Sequence, residues 1–97
     1  MRRRGRIDRN QAEIVSALER MGCSVQSLAS QGSGCPDLLI GYRGRNVLLE
    51  VKAPKGKPTS DQMTWGATWR GQLAIVRSVD DAIRAVSYDP QSQRICR

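Results

Sequence analysis

The sequence predicts an α/β domain built in the order helix, three strands, helix, strand. Three observations carry that reading. Ile14, Val15, Leu18 and Met21 recur at helical spacing within residues 8–21. DLLIGY (37–42) and RNVLLEV (45–51) are short, apolar and separated only by Arg43-Gly44, as in a β-hairpin. The helix-length segment DQMTWGATWR (61–70) then leads into the apolar run LAIVRS (73–78).

Taken in order, the first helix is expected to start at a cap on Asp8 or Asn10 and to stop at Gly22. CSVQSL (23–28) alternates loosely and reads as a short strand, and ASQGSG (29–34) is small and polar, hence a loop. After the hairpin, APKGKPTS (53–60) is a basic loop whose Thr59 or Ser60 caps the helix over 61–70, which Gly71 ends. A short helix over residues 80–86 follows the last strand, and the tail SYDPQSQRICR is expected to add a hairpin strand. No repeat or shift of composition divides the chain. Residues 1–97 therefore read as one domain, with a basic N-terminal arm over residues 1–7.

Charge narrows the partners. Among 97 residues, 16 Lys and Arg stand against 9 Asp and Glu, a net charge of +7. Such an excess calls for a polyanion, nucleic acid or an anionic membrane. No apolar run approaches the roughly 20 residues of a transmembrane helix. The basic start MRRRGRIDR precedes no signal-peptide core, so a nucleic-acid contact fits it better than a membrane anchor. Arg2, Arg3, Arg4 and Arg6 are candidate phosphate contacts there; a solvated tail is the plainer reading. A chain this small leaves much surface exposed, so a dimer contact is a plausible source of stability.

Cys23, Cys35 and Cys96 are odd in number and lack CxxC spacing, which favours a reducing cytoplasm over a disulfide framework. Histidine is absent. That excludes Ser-His-Asp catalysis, His-ligated zinc and His-based nuclease fingers. Hydrolysis by this chain has to rest on carboxylates, lysine and a metal.

The hairpin supplies them. With Arg43-Gly44 as the turn, Tyr42 faces Arg45, Ile40 faces Val47 and Asp37 faces Glu50. Paired side chains share a face with Cβ atoms ~5 Å apart. Lys52, two residues past Glu50, shares that face as well. Two carboxylates this close repel unless a cation lies between them. Oxygen ligands without His or thiolate suit Mg²⁺ or Mn²⁺. An exposed sheet face with a Glu–Lys or Asp–Lys ion pair would place the same charges there.

Pro36-Asp37, followed by Glu50-Val51-Lys52, resembles the PD-(D/E)XK nuclease signature. The longer stretch GCPDLLIGYRGRNVLLEVKAPKGKPTSDQMTW, with the later GQLAIVRSVDDAI, is similar to the VRR-NUC (virus-type replication-repair nuclease) domain. The resemblance runs from the first helix to about Val86. It implies a restriction-endonuclease-like core, a mixed central sheet flanked by helices, with Mg²⁺ or Mn²⁺ at the strand carboxylates. Asp37 and Glu50 match the metal ligands, joined by the Val51 backbone carbonyl. Lys52 matches the catalytic lysine, and Gln62 a glutamine of the family motif. Glu13 matches an acidic residue that completes such sites from the first helix, although its spacing from Asn10 also fits a capping box.

Around this centre, Arg43 and Arg45 at the hairpin tip and Lys55 and Lys57 in the loop are further candidate phosphate contacts. Ser33 and Gly34 would allow close approach of a phosphate. Trp65 and Trp69, four apart on one helix face, read as core or dimer packing ahead of base stacking. The resemblance implies a structure-specific DNA endonuclease acting as a homodimer on branched DNA such as Holliday junctions, in bacterial or phage-infected cytoplasm. Two other readings stand beside it: a nuclease with another task, such as restriction, nicking or end processing, and a non-catalytic nucleic-acid-binding module.

Overall fold

The computed structural model describes the backbone of residues 2–90 and the side chains of residues 9–90. α1 (Arg2–Arg20) begins well before Asp8 or Asn10, so neither caps it. The segment expected as an arm continues the helix backbone, in keeping with arginine's high helix propensity. α1 is stopped as expected by Gly22. That residue takes φ 99°, while Cys23 N–H reaches Leu18 O and Gly22 N–H reaches Glu19 O, each at 3.0 Å. These paired bonds close the last turn in a Schellman motif, for which a left-handed glycine is the natural residue.

β1 (Ser24–Ser27), β2 (Leu38–Tyr42), β3 (Arg45–Val51) and β4 (Leu73–Val76) form one sheet in the order β1-β2-β3-β4. The first two pairings are antiparallel and the third is parallel. The sheet is therefore mixed. Arg43 (φ 53°) and Gly44 (φ 79°) are both left-handed, the requirement of a primed two-residue turn. Arginine is not the favoured residue there, but its guanidinium lies 5.3 Å from the Tyr42 ring centroid, a cation–π contact that offsets part of the cost. The tight loop sets the register Leu38↔Leu49 through Tyr42↔Arg45.

That register sorts the side chains of β3. Val47, Leu49 and Val51 join Leu38 and Ile40 in a core closed by Ile14 and Leu18 of α1 and by Ala82 and Val86 of α3 (Val79–Ser87). Leu48 and Glu50 alternate to the opposite face. Residues 47–51 of β3 are all buried, so this second face is covered too. Its cover is the β3–β4 crossover, which carries α2 (Ser60–Thr68). α2 itself contributes no buried residue. Close approach is allowed by Gly34, at φ 86°, where a Cβ would stand 2.3 Å from the Asp61 carbonyl oxygen.

α2 stops at Thr68 rather than running to Arg70. The Thr68 hydroxyl donates to the Trp65 carbonyl at 3.1 Å, competing with the backbone in the last turn, and Trp69 turns extended at φ −81°, ψ 128°. The two indoles still stack, with centroids 4.7 Å apart. Of the expected tail strand, residues 91–97 lie outside the described residues, and Ser87 belongs to α3. No helix among the described residues is long and apolar enough to cross a membrane.

Candidate active site

The C-terminal end of β3 gathers the polar groups. β2 starts at Leu38, so the ladder leaves Val51 N–H without a backbone partner on that side, and the Asp37 side chain takes its place: Oδ2 accepts from Val51 N–H at 2.8 Å. Asp37 is held in turn by its own carbonyl, which accepts from Leu28 N–H at 2.8 Å. Glu50 is 5% exposed. Its Oε2 accepts from Gln62 Nε2 at 2.7 Å and lies 3.5 Å from Lys52 Nζ. Burial, and then the neighbouring Asp37 carboxylate, push the Glu50 carboxyl up to about 7, with Lys52 pulling the other way.

Gln62 is fixed from its far side. Thr59 N–H donates to its Oε1 at 2.9 Å, while Gln62 N–H donates to the Thr59 hydroxyl at 3.2 Å. The capping box of this protein is therefore Thr59–Gln62 at the start of α2, not Asn10–Glu13. It fixes the amide with its nitrogen toward Glu50, so one side chain both caps the helix and steadies the buried carboxylate.

Asp37, Glu50, Lys52 and Gln62 thus meet, and the Val51 carbonyl lies on the same strand end. Glu13 is exposed on α1, beside Arg9, Ser16 and Arg20, and no group of three or more Asp, Glu, His or Cys suited to a metal occurs among the described residues. From that position, Glu13→Gln is expected to leave Mn²⁺ affinity unchanged in a calorimetric titration. A fall of about tenfold or more would make it a ligand.

The basic candidates separate as well. Arg43 and Arg45 lie at the hairpin tip, about 20 Å along β3 from Val51 at the strand rise. Arg45 donates through Nη1 to the Tyr88 carbonyl, so its head group is already engaged. Lys55 and Lys57 are exposed in the loop after β3, which Arg77 ties down by donating to the Gly56 carbonyl at 2.9 Å. The side chains of Arg2, Arg3, Arg4 and Arg6 lie outside those described.

Asn10 is the residue that sequence reasoning misplaced. Its Nδ2 donates to the Lys52 carbonyl at 3.1 Å and to the Arg77 carbonyl at 3.3 Å. α1 therefore clamps the diverging ends of β3 and β4 beside the lysine. Asparagine within a helix is mildly unfavourable, the one signal that this residue serves something outside the helix.

The donor chemistry suits a hard divalent cation. Two carboxylates that raise the proton affinity of one of them would both be relieved by a bound Mg²⁺ or Mn²⁺.

A four-stranded mixed sheet with helices on its faces and an acid pair at the open end of its hairpin is a restriction-endonuclease-like fold. Among solved structures, the chain is similar to one described as a "VRR_NUC domain", with a TM-score of 0.70 and 26% identity over 84% of this chain and 95% of that one. That likeness over most of both chains supports a VRR-NUC domain here, a nuclease-type domain. No family model matches the sequence, and no curated protein matches it.

Proposed function

We propose that the domain is a Mg²⁺- or Mn²⁺-dependent endodeoxyribonuclease that cuts branched DNA, four-way junctions included, as a cytoplasmic homodimer. The observation that carries the catalytic part is the buried Glu50 carboxylate set between Asp37, Lys52 and Gln62. Asp37, Glu50 and the Val51 carbonyl would hold the ion. When bound, such an ion polarises the phosphate and acidifies water.

The chain's own groups do the rest. Lys52 Nζ, 3.5 Å from Glu50, stands where it can orient the attacking water and offset charge that develops on the phosphate oxygens. Gln62 keeps Glu50 from swinging away, and Asn10 holds the lysine's backbone. Lys55 and Lys57 contribute positive charge for the flanking phosphates, so affinity falls steeply with salt.

Support for the dimer comes from the same face. Trp69 is 46% exposed beside an apolar hollow of about 470 Å³ lined by Leu28, Leu39 and Leu48, a natural seat for a second copy. A two-fold axis would present two sites to two strands. Cleavage of matched four-way, flap, single-stranded and linear DNA with each metal tests the reading, alongside sedimentation at working concentration. Junctions should be cut faster than linear duplex by a species of twice the chain mass. A monomer that cuts both equally would remove the junction and dimer assignments, and absence of cleavage on every substrate would remove the nuclease.

A further inference from the structure

Glu50 and Gln62 form the polar end of a hollow of about 300 Å³ between α2 and the sheet. Its other side-chain walls are apolar: Pro36, Pro58, Met63, Trp65, Leu73 and Ile75. Phosphodiester hydrolysis acts on polar atoms and needs no apolar slot, so whatever fills this one has to arrive with the phosphate. The part of a nucleotide with flat apolar faces is its base.

Three features favour that occupant. The hollow opens directly on Glu50, the carboxylate nearest the lysine and one of the groups assigned above to the reacting phosphate. The loop that supplies Pro58 also carries the exposed Lys55 and Lys57, which suits a ligand with an anionic backbone. One wall is braced: the Trp65 indole stacks on Trp69, with centroids 4.7 Å apart. Met63 and Ile75, 63% and 43% exposed, leave the mouth accessible.

A base inside a B-form stack points toward the helix axis with both faces covered. To enter the hollow it has to leave the stack, and that costs least when it is unpaired. We propose that this hollow seats an unpaired nucleobase next to the scissile phosphate, so that the enzyme selects strands with an unstacked nucleotide at the cut. The inference rests on the nuclease reading above. Glu50 Oε2 and one N–H of Gln62 are spent on each other and the remaining side-chain walls are apolar, so the slot should discriminate little between bases.

The test uses a flap substrate whose cut site has been mapped. The nucleotide on either side of the cut is replaced in turn by an abasic analogue or by each of the four bases. One of the two abasic substrates should raise KM on the order of tenfold or more in the wild type, with the four bases within about threefold of one another. In Met63→Ala/Ile75→Ala the abasic penalty should shrink to less than about threefold, because that variant has already lost the walls. With Lys52→Ala, which should bind and cut only slowly, 2-aminopurine at the same nucleotide should lose fluorescence on binding; this measurement does not depend on turnover. Equal KM for native and abasic substrates at both positions, with 2-aminopurine unquenched, overturns the inference and leaves the nuclease standing. So does loss of a dimer in the double variant without any abasic effect, which would assign the hollow to a second copy. If no substrate is cut, 2-aminopurine walked through the flap junction still reports the slot: quenching at one unpaired nucleotide keeps the base slot while the catalytic reading fails.

Discussion

Lys52→Ala should lower kcat by roughly 10²–10³-fold while DNA binding persists, since one preorganised cationic donor at the reacting phosphate is removed. The side chain is 13% exposed, and its charged partner within 4.0 Å is Glu50. Without the lysine Glu50 loses its compensating cation and holds its proton more tightly, so the variant should also need a higher pH or more metal to reach its residual activity. Lys52→Arg keeps the charge but spreads it over a rigid planar fork, and should not restore turnover. Single-turnover kinetics with Mg²⁺ and a duplex-binding assay decide the matter. A kcat within about fivefold of wild type would take Lys52 out of the chemistry.

The second large effect concerns Glu50, and it has a direction that can be worked out. Its carboxyl titrates at about 7 in the folded metal-free chain against 4.5 as the ordinary value. Between those two pH values the folded state holds a proton that the unfolded state has lost, so stability falls as pH rises through the window and levels off above it. The shift corresponds to at most about 3 kcal/mol at pH 8. Glu50→Gln removes this cost and still offers Gln62 an acceptor. In chelator the variant should therefore melt higher than wild type at pH 8 and close to it at pH 5. The same substitution should abolish cleavage, because a neutral amide is a poor ligand for a hard cation. Wild type should release close to one proton on binding Mn²⁺ at pH 6, visible as a dependence of titration heat on buffer. Parallel melting curves for the two proteins across pH 5–8 would mean that Glu50 carries no burial penalty.

Arg43-Gly44 shows what local sequence can determine. A two-residue turn between alternating strands admits few registers, and only one puts Leu38, Ile40, Val47, Leu49 and Val51 on a single face. Once that register is chosen, Asp37, Glu50 and Lys52 must share the opposite face. The acid pair and lysine were therefore legible from residues lying within one hairpin. So was the stop of α1 at Gly22, which depends only on the last turn. The α2 cap was narrowed to Thr59 or Ser60 in the same way, and the structure selects Thr59.

Asn10 and Glu13 show the other side. Both sit on α1, where the sequence reads Asn10 as a helix cap and Glu13 as a metal ligand. The tertiary structure sends Asn10 to partners 42 and 67 residues away and leaves Glu13 at the surface. Arg45 reads as a free cation until Tyr88 arrives from 43 residues further on.

By itself, then, the sequence determined the order of the described elements, the hairpin register and the face on which two carboxylates and a lysine meet, because these follow from backbone periodicity and a tight turn. Only the tertiary structure decided the parallel pairing of β3 with β4, the seating of Gln62 against Glu50, the Asn10 clamp and the apolar hollow beside the carboxylates. Each of those depends on the angle and depth at which a helix crosses the sheet, and these are set by packing between residues far apart in the chain.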